Sequence, residues 1–215
     1  MDIVTGVGVL DKAVHVLRAV AEQPLSLGGL QSATGLPRAT AHRLAVALEQ
    51  HGLLRRDDDG RFDLGPELAS LGRAAADRFP LAELALPALE SLRVSTEESV
   101  QLFVREGAHR RCVISLQSPH ALRWIVPEGV LFPLDVGSAG RVLSGEAPVE
   151  GWVESVEERE PGVASVSAPV VDASGVIVAA VSVSGPIDRL TRSPGERFGR
   201  QVSQAAAAVS SALAT

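Results

Sequence analysis

The sequence predicts an α+β protein in three parts: an N-terminal winged helix-turn-helix over residues 1–65, a linking helix over 66–80, and a C-terminal domain over 81–215 built as an antiparallel sheet flanked by helices, of the GAF-like sensor type. Three observations lead there. Residues 24–64 run as a capped short helix, a glycine turn, a proline-led polar helix and a hairpin with an Asp-Gly tip. Residues 99–185 carry several short β-rich runs separated by turn residues. The chain closes on an alanine-rich amphipathic segment.

The elements follow in order. Residues 9–23 have helical periodicity, with Leu10, Val14, Leu17 and Val20/Ala21 as the apolar stripe and Pro24 as the stop. Ser26 suits the N-cap of a short helix over residues 27–34, because its hydroxyl can accept from a free amide of the first turn. Gly35 tolerates the left-handed conformation that ends it. Pro37 fits the first turn of the next helix, where its missing N–H costs nothing, and Leu44, Ala47, Leu48 and His51 recur at the spacing of a core-facing stripe.

Arg38, Thr40, Ala41, His42 and Arg43 fall at the start of that second helix. In a helix-turn-helix this is the part that enters the major groove and meets base edges. Arginine pairs with guanine or phosphate, a threonine hydroxyl bonds either, and the Thr40 methyl or Ala41 can pack on a thymine methyl. Residues 53–56 and 61–64 then flank Asp57-Asp58-Asp59-Gly60, a strong hairpin signal. Arg55, Arg56 and Arg61 are expected beside phosphates on the wing strands, with the aspartates keeping the tip away from the like-charged backbone. The expected DNA-facing set is Ser26, Pro37, Arg38, Thr40, Ala41, His42, Arg43, Arg55 and Arg61, and the expected partner is double-stranded DNA.

Residues 66–79 read as a helix with Leu68, Leu71 and Ala75 on one face, closed by Pro80. It is expected to connect the domains and to pack on its copy in a second subunit. Residues 81–94 form an amphipathic helix through Leu84, Leu86, Leu89 and Leu92. Strands are expected at 99–105, 111–117, 122–126, 163–170 and 176–185, with Gly107 and Asp172-Ala173-Ser174-Gly175 as hairpin turns. Residues 129–133 read as a turn, 138–143 as a short helix after Gly137, and 193–214 as the last helix, apolar at Phe198, Val202, Ala205/Ala206, Val209 and Leu213.

Composition narrows the chemistry. The chain has 215 residues, is 46% hydrophobic and carries a formal charge of −6. Residues 1–65 hold seven Lys/Arg against eight Asp/Glu. DNA affinity must then come from arginines clustered on one face and from two readers on one site. One cysteine, Cys112, excludes an intramolecular disulfide and a cysteine-cluster zinc site, and the five histidines lack metal-ligand spacing. No apolar stretch is long enough for a bilayer, so a cytoplasmic protein with no membrane role and no cofactor is expected.

Ser165 and Ser167 share one face of a strand, and so do Ser182 and Ser184. Buried hydroxyls need partners, and a small anion such as a carboxylate would satisfy several at once; bonds to neighbouring backbone are the plainer alternative. A serine hydrolase is the weaker reading, because no G-x-S-x-G elbow occurs and the histidines lie outside these strands. Glu157, Glu158 and Glu160 read as a solvated loop, and Cys112 as an inert core residue, with a redox sensor as the alternative. Trp124 and Trp152 fit a pocket wall or the core equally.

The strings GVLDKAVHVLRAV, GLPRATAHRLAVALEQHGLL and RFDLGPEL, with GVASVSAPVVDASGVIVAAVSVSGPIDRLTR downstream, resemble the IclR family of bacterial transcription regulators across nearly the whole chain. EREPGVASVSAPV is similar to NdgR-type regulators of amino-acid metabolism. The resemblance implies a homodimeric or tetrameric regulator, not an enzyme, whose DNA affinity answers to a small-molecule effector of the amino-acid or 2-oxo-acid class. It maps the effector pocket by motif onto Ser138, Ala139, Ser155, Val163, Ser165, Ser182 and Ser184, the position of Ser165 often being cysteine in the family. Family members usually carry further helical sequence after SAGRVLSG, where this chain has only residues 146–150, so a regulator whose second domain dimerises without binding a ligand is the alternative.

Overall fold

The structure, a computed structural model, describes residues 7–78, 80–146, 148 and 150–214. The chain divides into two compact units, Met1–Phe79 and Pro80–Thr215.

The first unit runs α1 (Gly8–Glu22), α2 (Leu27–Thr34), α3 (Arg38–Gln50), β1 (Leu54–Arg56), β2 (Phe62–Leu64) and α4 (Pro66–Arg78). Ser26 caps α2 by accepting from the Gly29 amide at 3.1 Å. Gly35 ends α2 at φ 66°, its N–H bonded to the Gln31 carbonyl at 2.8 Å. Pro37 is the N-cap of α3, one position ahead of the expected one, and its carbonyl accepts from the amides of Thr40 and Ala41. Leu25 exchanges two backbone bonds with Phe62, which ties the start of α2 to the wing.

The core of this unit is Val16, Val20, Leu30, Ala45, Leu48, Leu54 and Phe62. Two stripes are rotated from expectation. On α1 the inward residues are Ala13, Val16, Leu17 and Val20, while Leu10 is 53% exposed and Ala21 is also exposed. On α3 they are Ala41, Leu44, Ala45 and Leu48, with Ala47 and His51 outside. Ala41 and Ala45 lie one turn apart and have no exposed surface. Small side chains there let the helices approach closely, a requirement that hydrophobic spacing alone does not register. Along α4 the expected apolar face is open, with Leu71 54% exposed.

The second unit runs α5 (Leu81–Thr96), β3 (Ser99–Glu106), β4 (His109–Leu116), β5 (Leu131–Pro133), α6 (Ser138–Leu143), β6 (Val153–Val156), β7 (Val163–Val171), β8 (Ile177–Pro186), α7 (Ile187–Leu190) and α8 (Pro194–Leu213). Its strands form one antiparallel sheet in the order β5-β4-β3-β8-β7-β6. Alternation along the strands sorts side chains to two faces. Val100, Leu102, Ala164, Val166, Ala168, Val181 and Val183 join Leu81, Ala85, Leu89 and Leu92 of α5 and Phe198, Val202 and Val209 of α8 in one core. Phe103, Cys112 and Ala180 turn the other way and meet Ala139, Val142 and Leu143 of α6 in a second.

Several sequence expectations are corrected here. Residues 122–126 form no strand; Leu122 and Ile125 are 69% and 48% exposed, and Arg123 bonds the Gln117 side chain and the His120 carbonyl within the loop. The strand lies instead in the expected turn, as β5, with Arg110 opposite Phe132. The edge strand β6 and the one-turn helix α7 were not anticipated, both being too short for a periodic signal. On α5, Leu84 and Leu86 face out and Leu81 and Ala85 face in.

Candidate functional sites

The first site is the N-terminal half of α3. Pro37, Arg38, Ala39, His42 and Arg43 are exposed and Thr40 is half-buried. Ala41 is fully buried and cannot reach a base, which corrects its expected role. The small residue sharing the outward face with His42 and Arg43 is Ala39, three and four positions away. Arg38 donates to Gln31 Oε1 at 3.3 Å, joining α2 to α3. Arg43 has no ion pair among the described residues, and Ser26 is exposed at the start of α2.

The wing arginines are all engaged. Arg55 is ion-paired with Asp63, its register partner across the hairpin, and its Nε donates to the Leu64 carbonyl. Arg61 meets Asp59 at 3.3 Å. Arg56 lies 3.8 Å from the centre of the Phe62 ring, 3.4 Å from Glu49, and donates to the Gly60 carbonyl at 2.8 Å. The tip is held by Asp57 Oδ1, which accepts from the amides of Asp59 and Arg61. Exposed pairs of this kind are worth under about 1 kcal/mol each. They can exchange for phosphate, but they leave the wing without surplus positive charge.

The second site is a small cavity between α6 and the sheet. Of the seven residues mapped to an effector pocket, Ser138, Ala139, Ser165, Ser182 and Ser184 line it. Ser155 faces Ser165 across the β6–β7 ladder and is buried outside the lining, and Val163 pairs with Pro186 at the start of β7, also outside it. The serines bond mainly to each other. Ser138 Oγ lies 2.7 Å from both Ser165 Oγ and Ser167 Oγ, Ser167 donates to Ser182 at 2.9 Å, and Ser184 donates to Gln101 Oε1 at 2.8 Å. Among the described residues no His, Asp or Glu side chain bonds any of them, so the general base that a serine nucleophile needs is missing.

Sequence reasoning missed three lining residues that carry most of the electrostatics: Gln101, Arg110 and Arg159. Arg110 is 1% exposed and its Nη1 donates to the Pro133 carbonyl. Its guanidinium lies 5.5 Å from the Phe103 ring and 5.4 Å from Phe132. Burial pulls its pKa down to about 10, helped by the Arg159 charge and opposed by Asp135 and Glu158. Arg159 lies 3.8 Å from the other partner it shares, Phe132, and 5.6 Å from Trp124; burial lowers its pKa too. The free space amounts to about 20 Å³.

The surrounding loop is braced rather than simply solvated. Glu158 accepts from the Gly137 amide at 2.9 Å and pairs with Arg141 at 3.0 Å. Glu157 accepts from the Gly162 amide and pairs with Arg192. Glu160 is exposed. Gly140 leaves room for Arg110, since a Cβ there would fall 2.5 Å from Arg110 Nη1 and closer still to the Leu134 carbonyl. Trp152 packs on the core against Gly195 and Gly199 of α8, whereas Trp124 borders the second core beside Arg159. Cys112 is buried, donates to the Ile114 carbonyl, and burial pushes its thiol up to about 12. Among the described residues no group of three or more His, Cys, Asp or Glu could hold a metal, and no helix is long and apolar enough to cross a membrane.

A winged helix-turn-helix joined to an α+β domain with an internal polar cavity defines the class: a one-component transcription regulator. The model described as IclR helix-turn-helix domain matches residues 9–58. That described as Bacterial transcriptional regulator IclR C-terminal matches residues 73–150 and 145–211, two pieces that meet where the sequence is short. The chain belongs to the IclR family of DNA-binding transcriptional regulators.

It is 31% identical to the glycerol operon regulatory protein of Streptomyces coelicolor, over 85% of this chain and 86% of that one. It is 26% identical to the transcriptional repressor IclR of Escherichia coli, over 92% and 86%. An IclR homolog from Microbacterium hydrocarbonoxydans, solved with 4-hydroxybenzoate, superposes with a TM-score of 0.80 at 22% identity over 95% of this chain and 98% of that one. Thermotoga maritima IclR superposes at 0.74 with 21% identity over 97% and 99%. The last two show the fold.

Proposed function

We propose that the chain is a cytoplasmic homodimer that reads operator DNA through the outward face of α3 and is regulated by a small molecule held in the serine-lined cavity. The observation that carries the first half is Arg43, exposed beside His42 and Ala39 with no acid holding it among the described residues. Arg38, Thr40, Pro37 and Ser26 flank it, and Arg55 and Arg61 add phosphate contacts by giving up their acidic partners. Ala41 has no part in this reading. Two subunits would present two such helices to half-sites about one helical turn apart.

The effector half rests on a polar cavity walled by Ser138, Ala139, Ser165, Ser182 and Ser184 within a family C-terminal domain. The class of effector is narrowed from two directions. The resemblance to NdgR-type regulators favours amino acids or 2-oxo acids and a link to amino-acid metabolism. The relatives, by contrast, include glycerol operon regulators, and one solved homolog carries 4-hydroxybenzoate. Footprinting of the full chain on its own upstream region tests the DNA half: protection of a palindrome, lost in Arg43→Ala, supports it, and uniform sequence-independent binding refutes it. Repeating the footprint with glycerol, 4-hydroxybenzoate, L-leucine and pyruvate tests the other half, a change with any one supporting regulation by ligand.

A further inference from the structure

We propose that Arg56 is a positioning residue of the DNA reader: it ties the wing to α3 and holds the hairpin in place, and it makes no contact with DNA itself. This rests on the reading of α3 as the recognition helix.

Strand parity separates the three wing arginines, all of which the sequence places beside phosphates. Residues opposite one another in a ladder share a face, and neighbours along a strand do not. Arg56 stands opposite Phe62, and Leu54 lies two residues before it on β1. Leu54 and Phe62 belong to the core, so Arg56 lies on the inner face of the hairpin. Arg55 stands opposite Asp63, and Arg61 has the parity of Asp63, which puts these three on the outer face.

The contacts of Arg56 follow from that placement. Its guanidinium lies 3.8 Å from the centre of the Phe62 ring, its Nε lies 3.4 Å from Glu49 Oε1 on α3, and its Nη1 donates to the Gly60 carbonyl at 2.8 Å. One side chain thereby joins the helix, the second wing strand and the tip. It is 40% exposed, against 55% for Arg55 and 52% for Arg61. A phosphate contact from Arg56 would break three contacts at once.

Backbone bonds fix the base of the wing. The Leu53 amide donates to the Leu48 carbonyl at 2.9 Å, and Leu25 and Phe62 exchange bonds of 2.9 and 2.8 Å. Gly60 lies beyond these ties, and Arg56 carries the constraint out to it. Glu49 follows His42 by seven residues, two helical turns, and so shares its face of α3. The link therefore runs from the reading face to the wing. A wing released from it samples orientations that cannot meet a phosphate while α3 occupies the groove, and the apparent affinity falls by the fraction that can.

Charge separates a strut from a phosphate contact. Glu49 is an acid on the face expected to approach DNA. Were Arg56 a phosphate contact, removing Glu49 would strengthen binding, since a repulsion disappears and an arginine is released. For a strut, removing Glu49 weakens binding, because the anchor on α3 is lost.

Fluorescence anisotropy of the full chain tests this, on a labelled duplex of its own upstream region and on a scrambled duplex, across a series of salt concentrations. Glu49→Ala and Arg56→Met should each weaken binding to the upstream duplex by about threefold to tenfold, the scale of an exposed ion pair with a cation–π contact. The double variant should bind no more weakly than Arg56→Met alone, since both changes cut one link. The dependence of log K on log salt should be unchanged in Arg56→Met, whereas loss of a phosphate contact reduces that slope by about 1. Thermal melts should move by less than about 5 °C, as an exposed pair allows. Glu49→Ala binding as tightly as the parent or more tightly overturns the proposal, and so does a slope reduced by about 1 in Arg56→Met. If Arg56→Met fails to fold, Glu49→Ala decides alone. If Arg43→Ala abolishes the preference for the upstream duplex while Glu49→Ala changes nothing, the recognition-helix reading stands and the strut falls. If the parent does not distinguish the two duplexes, both fall.

Discussion

Arg55 and Asp63 stand opposite each other in the wing ladder and are joined by an ion pair. The wing arginine is therefore already neutralised, and Arg61–Asp59 repeats the arrangement near the tip. Arg43 carries no such partner among the described residues. Arg43→Ala should weaken operator binding by about tenfold or more, the cost of one base or phosphate contact, whereas Arg55→Ala should cost about threefold or less because its gain and loss nearly cancel. Asp63→Asn should strengthen binding by freeing Arg55. Fluorescence anisotropy at one fixed salt concentration measures all three, and an Arg55→Ala loss equal to that of Arg43→Ala would show the ion pair to be irrelevant.

The reader was legible in sequence because its signals are local. A cap at Ser26, a left-handed stop at Gly35 and an Asp-Gly hairpin each declare themselves within four residues. What escaped depended on partners distant in the chain. Ala41 sits in sequence among positions that are exposed, yet it has no exposed surface itself. The strand expected at residues 122–126 has the right composition but no neighbour to pair with, while β5 has a neighbour and little composition. Arg110 could have been found. It shares strand parity with Cys112, already read as core, so an arginine was pointing inward. Its hydropathy argued the other way, and charge at a buried position is where sequence pattern and function part company.

Cys112 offers a pH-dependent check. Burial lifts its thiol from 9.0 to about 12, so at pH 8 the native thiolate fraction is about a thousandfold below that of an unfolded chain. Alkylation by iodoacetamide should be negligible in the native protein and prompt in denaturant. The sign for stability follows. Between pH 9 and about 12 the unfolded state releases this proton and the native state holds it, so stability falls across that window and is flat below it with respect to this group. Cys112→Ser should flatten that decline. Rapid native labelling at pH 8 would place the thiol in a more open setting.

Glu98 is 2% exposed and its carboxylate is held by Arg189, at 2.5 and 2.9 Å. Removing the cation strands a buried anion. Arg189→Leu should cost roughly 2–4 kcal/mol in urea unfolding, somewhat below a fully buried pair because Arg189 is partly exposed. Replacing both, Glu98→Leu with Arg189→Leu, should recover part of that loss, since the desolvated charge is gone. Additive losses in the double variant would mean that the two side chains act independently.

Two glycines should respond in opposite directions to the same methyl group. Gly72 lies on exposed α4 with nothing within 4 Å of an added Cβ, so Gly72→Ala gains helix propensity and should stabilise by about 0.5–1 kcal/mol. Gly140 sits in α6 against the Leu134 carbonyl and Arg110 Nη1. A Cβ there must displace buried backbone or push the guanidinium across the cavity, and Gly140→Ala should cost roughly 2–4 kcal/mol. Thermal melts of the two variants read both effects. A Gly140→Ala protein that melts like the parent would mean that Arg110 does not need the space this glycine leaves.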